Sequence, residues 1–313
     1  MDPPSKKSPG APRGRSPQPH RPPPRPPSSE AVEEAVRRAL AEDLGQGDLT
    51  SAACVPQGLR ARAVLLARAE GRVAGLVVYA RVFEVCDPAC EVELLVPEGA
   101  TVGAGERLAT VVGDARALLA AERSALNFVQ HLSGIATSSA RAVALCRPHA
   151  EVFDTRKTTP GLRALEKYAV RCGGARNHRF GLFDEIMIKD NHVDLAGRPL
   201  EELCVQARRS AEGVRVTVEA RDEAEALAAA RGGADVVMLD NMDPAAMAEL
   251  CPRVRAAASA LDRERAVEIE ASGGVDETTI AAVAASGVDR ISIGALTHSA
   301  PALDLAVELE AVE

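Results

Sequence analysis

The densest set of groups able to do chemistry lies between Phe153 and His192, in FDTRKTTPGLRALEKYAVRCGGARNHRFGLFDEIMIKDNH. It holds Arg156, Lys157, Arg163, Lys167, Arg171, Arg176, His178, Arg179, Lys189 and His192 within forty residues. Arginine suits bidentate contact with carboxylate or phosphate, and lysine supplies a point charge. Arg163, Lys167 and Arg171 have helical spacing and read as a solvated helix face. Arg156, Lys157 and Arg179 sit beside Gly and Pro turns instead, and Lys189 follows the apolar run Ile-Met-Ile. Such placement predicts a pocket for a multiply anionic ligand. His178, among these cations, reads as a ligand-orienting donor. Cys172 has no histidine placed to act as its base and reads as packing.

Two acids and two small-residue turns complete the set. Glu219 and Asp240 end Val-rich runs and could serve as an acid/base pair, a magnesium site or structural partners of the cations. Beside a phosphate site, magnesium bridging pyrophosphate oxygens is the reading they favour. ASGG (271–274) precedes a helix and SIGALTH (292–298) follows the last apolar run. Small residues let backbone N–H groups approach a phosphate, and a helix N-terminus favours the anion.

These groups need elements to position them. Residues 29–43 read as an amphipathic helix with Ser29 as N-cap. From 59 to 112, short Val- and Leu-rich runs (ARAVLLARAE, RVAGLVVY, CEVELLV, ERLATVV) read as strands of a small α/β unit. VPEGATVGAGERLATV resembles a lipoyl-carrier hammerhead only superficially, since it has no lysine to carry a cofactor. Residues 114–146 are helical, with a break near Ser133-Gly134. Beyond them strands and helices alternate: 214–219, 222–233, 235–240, a helix opened by Pro244, 266–270, a helix from Asp276, and 289–294. This βα rhythm predicts a parallel sheet. Glu219, Asp240, Ser272 and Gly294 all fall at strand C-termini, the rim that builds the site in β/α barrels. An open doubly wound sheet would place ligands there too, and the barrel is the preferred reading.

Composition excludes several classes. The formal net charge is −8, and the first 27 residues hold six Lys or Arg against one acid, so the body is more acidic still. Nucleic-acid binding by the body is disfavoured. Seven scattered cysteines without a CxxC argue against a disulfide framework or structural zinc and for a reducing cytosol. Neither a secretory signal nor an 18-residue apolar run occurs, so the expectation is a cytoplasmic enzyme off the membrane. Residues 1–28 carry more than half of the 20 prolines and read as a disordered tail.

Several long motifs resemble the quinolinate phosphoribosyltransferase family, also called carboxylating nicotinate-nucleotide pyrophosphorylase. They are ERSALNFVQHLSGIAT (122–137), DTRKTTPGLRALEKYAVRCGGARNHR (154–179), IKDNH (188–192), MLDN (238–241), ASGG and SIGALTH. The resemblance covers roughly residues 30–310. It implies an N-terminal α/β sandwich domain (29–145), an incomplete β/α barrel (146–298) and a C-terminal helix (299–313) returning to the first domain. It also implies a homodimer, or a higher even oligomer, with shared sites, in which Arg123 reaches the neighbour's barrel.

The implied reaction joins quinolinate to 5-phosphoribosyl-1-pyrophosphate and releases pyrophosphate and CO2. Arg123 of the partner subunit, Arg156, His178, Arg179 and Lys189 would then hold the quinolinate carboxylates. Lys157 would hold phosphate charge, and Glu219 and Asp240 magnesium and ribose hydroxyls. Ser272, Gly273, Gly274 and Gly294 would cradle the 5′-phosphate. Two departures from the family pattern stand out: Thr217 in the strand before Glu219, and Ala175 where a third glycine is usual. Neither removes a cation. A molybdenum-associated branch of the fold is disfavoured by the full TRK, NHR and IKDNH set. A nicotinate-specific enzyme would need fewer cations. A non-catalytic anion binder would be expected to lack Glu219 or Asp240.

Overall fold

The computed structural model describes residues 24–261 and 266–312. Most of the proline-rich tail, residues 1–23, lies outside the described residues, and 24–28 have no regular structure.

The first domain opens with α1 (Ser29–Leu44) and α2 (Leu49–Cys54). Ser28, not Ser29, caps α1, accepting the Ala31 N–H at 3.3 Å. There follow β1 (Arg60–Ala67), β2 (Gly71–Arg72), α3 (Leu76–Cys86), β3 (Glu91–Leu94), β4 (Thr101–Val102) and β5 (Arg107–Asp114). The run RVAGLVVY is therefore not a strand: α3 starts inside it. Leu76, Tyr79 and Phe83 recur on one buried face, and the apolar stretch is long enough for three turns.

The helix α4 (Ala115–Cys146) is continuous for 32 residues. The break expected at Ser133-Gly134 does not occur. Gly134 instead lets another chain segment cross, since a Cβ there would lie 2.1 Å from the Pro301 carbonyl oxygen. Asp114 caps the helix through the N–H groups of Arg116 and Ala117.

The second domain runs β6 (Glu151–Phe153), α5 (Arg163–Cys172), β7 (Ile186–Ile188), α6 (Asp190–Ala196), α7 (Leu200–Ser210), β8 (Val216–Ala220), α8 (Glu223–Arg231), β9 (Val236–Asp240), α9 (Pro244–Ser259), β10 (Glu268–Ser272), α10 (Ile280–Ala285), β11 (Arg290–Ser292) and α11 (Ala295–His298). Asp276 opens a capped turn, and α10 begins only at Ile280. The sheet order is β6-β11-β10-β9-β8-β7, all parallel. The last strand pairs with the first and every other neighbour is sequential, which makes a curled barrel rather than an open doubly wound sheet. Arg176 adds a single parallel bridge to Phe153 on the free edge of β6. The barrel stays incomplete between that bridge and β7.

The C-terminus is β12 (Leu305–Ala311), where a helix was expected. It pairs antiparallel with β1 in the first domain's sheet, ordered β12-β1-β5-β3. Leu305, Val307 and Leu309 pack on the core, while Glu308 and Glu310 pair with Arg68 and Arg62 across the strands. This alternation of period two outweighs the helix propensity of Leu, Ala and Glu.

Candidate active site

The strand ends deliver the predicted groups to one cavity of about 800 Å³ at the C-terminal rim of the barrel. That is room for two small ligands together. Lys189 follows β7, Glu219 is the second-last residue of β8, and Asp240 and Ser272 end β9 and β10. All four line the cavity, as do Arg156, Lys157, His178 and Arg179 from the loops beyond β6. Gly273, Gly274 and Gly294 complete the wall.

The glycines are required by contact. Gly273 and Gly274 have φ of 87° and 62°, in the left-handed region. A Cβ on Gly273 would sit 2.2 Å from Oδ1 of Asn241. Asn241 also has positive φ, donates its N–H to the Ser272 carbonyl at 2.8 Å and its amide to Asp240 Oδ2 at 2.8 Å. It thus ties an acid on one strand to the glycine turn of the next. Gly294 serves Lys157: a Cβ there would lie 3.0 Å from the lysine's Cδ. Thr297 donates to the Lys157 carbonyl at 2.8 Å. The lysine therefore lies across the turn that opens α11, cation beside small-residue cradle.

The rim is cationic and largely uncompensated. Among the described residues, the side chains of Arg156, Lys157 and Arg179 make no ion pair with a carboxylate. Arg179 donates to the Glu185 carbonyl at 3.2 Å. Partial burial, and then the charge of nearby Arg156, hold its guanidinium below the ordinary arginine range. Glu185 and Asp184 act on Arg179 without pairing with it and do not offset this, so the two crowded guanidinium groups favour an anion between them. Lys189 differs, gripping Glu219 Oε2 at 2.6 Å.

Below the rim Asp154 pairs with Lys167 and Glu270 with Arg290. Asp154 accepts from Lys167 Nζ, Asn177 Nδ2 and the His178 N–H, each at 2.7 Å. Burial pushes the Asp154 carboxyl up, and Lys167 pulls against it. Lys167 also donates to the His178 carbonyl at 2.9 Å. It is 4 % exposed, so its expected place on a solvated helix face was wrong. Of the three basic residues on that helix, Arg163 and Arg171 keep solvent contact. On β10 and β11, Glu270 Oε2 lies 2.6 Å from Arg290 Nε, and the guanidinium rests 4.1 Å from the Phe153 ring centroid. Burial pushes the Glu270 carboxyl up, but His178 and Arg290 outweigh it, and the group lies below the usual glutamate range.

His178 lines the cavity but turns no ring nitrogen toward it. Nδ1 accepts the Arg179 N–H at 2.8 Å, and Nε2 is buried, facing Glu270 Oε1 at 3.5 Å. Cys172 is buried, and burial followed by the Glu98 charge pushes its thiol up to about 12, in keeping with packing. Arg123, on α4, is absent from the cavity. Its side chain is 61 % exposed, with Glu122 at 3.9 Å.

For a magnesium ion, Glu219 and Asp240 supply two carboxylates on neighbouring strands. Each spends one oxygen on Lys189 or Asn241 and keeps the other without a protein partner among the described residues. No group of three or more potential ligands occurs among those residues. Magnesium bound chiefly through substrate phosphates needs only one or two carboxylates, so the pair fits.

Asp154, Asn241, Glu270 and Arg290 escaped sequence reasoning. The available signal was a buried-type position in an apolar run: Asp154 follows Val-Phe, and Glu270 alternates with Ile269 and Ala271.

A two-domain α/β protein with a cationic, glycine-lined cavity at the mouth of an incomplete barrel is a class built to bind phosphate and carboxylate together. Family models for quinolinate phosphoribosyl transferase match residues 48–133 (N-terminal domain) and 135–308 (C-terminal domain). The chain belongs to the quinolinate phosphoribosyltransferase family. It is 41% identical over 270 residues to the probable nicotinate-nucleotide pyrophosphorylase [carboxylating] of Bacillus subtilis, covering 86% of this chain and 90% of that one. The crystal structure of NadC from Streptococcus pyogenes superposes with TM-score 0.83 at 38% identity, covering 91% of this chain and 99% of that one. The nicotinate-nucleotide pyrophosphorylase of Francisella tularensis gives 0.82 at 34% identity, covering 90% and 96%.

Proposed function

We propose that the protein transfers the phosphoribosyl group of 5-phosphoribosyl-1-pyrophosphate to quinolinate, giving nicotinate mononucleotide, pyrophosphate and CO2. The observation that carries this reading is the joint placement of uncompensated Arg156 and Arg179 beside a phosphate-type cradle crossed by Lys157. A dicarboxylate and a sugar phosphate would each find charge of the right kind.

Arg156, Arg179 and Lys189 clamp the carboxylates, and Ser272, Gly273, Gly274 and Gly294 take the 5′-phosphate. Glu219 and Asp240 face the ribose and stabilise positive charge at C1′ as its bond to pyrophosphate breaks and the pyridine nitrogen bonds to it. Lys157 meets the charge that develops on the leaving pyrophosphate. Magnesium, held by Glu219 and Asp240, would supply further neutralisation of the pyrophosphate oxygens. The C2–carboxylate bond then breaks to release CO2, its electron pair stays on C2 as an ylide stabilised by the adjacent cationic ring nitrogen, and a proton is taken up at C2. The protein contributes positioning and electrostatics, with no covalent nucleophile.

The assay follows CO2 and nicotinate mononucleotide from quinolinate, 5-phosphoribosyl-1-pyrophosphate and magnesium, with nicotinate as control. Turnover of quinolinate alone is expected; turnover of nicotinate alone would move the protein to a sister activity. The working unit is a homodimer in the cytoplasm, with Arg123 of the partner subunit completing the clamp. Exposed Arg123 and the apolar Phe180, Leu182 and Phe183 beside the cavity support this. Mixing Arg123→Ala with Lys189→Ala enzyme should restore part of the activity through hybrid dimers. Absence of rescue, with subunit exchange verified, would refute a shared site. Among the described residues no helix is long and apolar enough to cross a membrane.

A further inference from the structure

The backbone and Nδ1 of His178 are hydrogen-bonded within the protein, and Nε2 is buried without a hydrogen-bond partner among the described residues. Its N–H donates to Asp154 at 2.7 Å, and its carbonyl accepts from Lys167 at 2.9 Å. Nδ1 accepts the Arg179 N–H at 2.8 Å. A ring nitrogen that accepts an N–H carries no proton, so the imidazole proton sits on Nε2. Nε2 is out of contact with the cavity and faces Glu270 Oε1 at 3.5 Å. The other Glu270 oxygen lies 2.6 Å from Arg290 Nε, so the carboxylate has its counter-charge without a cationic imidazole. Turning the ring over would remove the acceptor from Arg179 N–H and leave Glu270 facing a carbon.

We propose that His178 is a positioning residue and not a donor to the substrate. The Glu270 carboxylate facing Nε2 suits the Nε2–H tautomer, and the unprotonated Nδ1 pins the backbone of Arg179. This rests on the reading of Arg179 as a carboxylate clamp. The fold has reason to need such a pin. Arg179 lies in the segment between the lone Arg176 bridge and β7, where the barrel is open and ladder hydrogen bonds are few. Its guanidinium is also repelled by Arg156, which would drive it outward in the unliganded protein. Asp154 and Lys167 hold the backbone on one side of His178, and Glu270 and Arg290 hold the ring on the other. The direction of Arg179 is thereby set before the ligand arrives, which spares the binding step that ordering.

Two measurements test this. The first is long-range ¹H–¹⁵N NMR of the histidine side chains in the full-length protein, with His178→Gln used to assign the signal. The expected result is a neutral Nε2–H ring at neutral pH that keeps this form at saturating quinolinate. An imidazolium, an Nδ1–H ring, or a change of form on adding quinolinate would overturn the proposal. The unliganded spectrum decides the tautomer whether or not quinolinate is the substrate. If quinolinate perturbs no resonance anywhere, the substrate reading fails and the ring assignment stands. The second measurement is steady-state kinetics of Glu270→Gln. The KM for quinolinate should rise roughly tenfold, the effect of removing the one carboxylate that faces the ring, with the KM for 5-phosphoribosyl-1-pyrophosphate little changed. Equal rises in both KM values, or a lower melting temperature with neither KM altered, would reduce Glu270 to general support of the barrel and overturn the proposal.

Discussion

At the barrel rim Arg156, Lys157 and Arg179 make no ion pair among the described residues, whereas one layer below, Arg290 and Lys167 each grip a carboxylate. The two regions contain the same residue types. The rim can leave cations unmatched because water reaches it, and an incoming anion then gains the full attraction. The interior cannot, because an unpaired buried charge costs several kcal/mol. Charge therefore means binding in one layer and architecture in the next; the lack of an ion pair marks Arg156, Lys157 and Arg179, while Lys189 at the rim is reached by Glu219.

Substitutions can break this contrast from either side. The largest effect is expected in the interior. Asp154→Ala leaves Lys167 Nζ, Asn177 Nδ2 and the His178 N–H without their shared acceptor. Chemical denaturation should show a loss of about 3–5 kcal/mol, as for a buried pair stripped of one partner. A loss below about 1 kcal/mol would mean that the interior charges are not architectural. At the rim, Arg179→Ala should lower kcat/KM by about 100- to 1,000-fold. Its unfolding midpoint should hardly move, because the guanidinium makes no ion pair whose loss would strand a buried carboxylate. A large stability loss from that substitution would erase the distinction.

The smallest effect is that of acid. Glu268 and Glu270 both lie below the ordinary glutamate value of 4.5, although burial pushes each upward. Arg215 and Arg290 overcome burial at Glu268, and His178 and Arg290 do so at Glu270. The folded state thus binds fewer protons at these sites than the unfolded chain. Their contribution is complete above about pH 4.5 and is lost as pH falls through the depressed folded values. Asp154, raised by burial, acts with the opposite sign and offsets part of it. Denaturation midpoints taken from neutral pH downward should show a shallow fall beginning near that point, shallower still in Glu270→Gln.

Much of the rim was legible in the linear chain. Lys189, Glu219, Asp240, Ser272 and Gly294 each end an apolar run, and a run's end marks where a strand meets solvent. The glycine turns announced themselves because left-handed backbone is seldom available to other residues. The helices and strands of the barrel followed from periodicity, with errors where one local signal competed with another. Outside the barrel, Val-rich β propensity hid α3, and the C-terminal helix that the family resemblance implied is the strand β12.

What the sequence alone determined is the supply of groups and the order of elements, since both depend on neighbours a few positions apart. Which cations bind and which are structural was settled by tertiary contact. Lys167 has helical spacing like any surface lysine, and only the approach of Asp154 at the end of β6 buries it. Glu270 meets Arg290 because parallel pairing of β10 with β11 sets them side by side, twenty positions apart in the chain. The role of His178 depends on both encounters. Charge compensation is a property of distance in space, and a sequence records distance only along the chain.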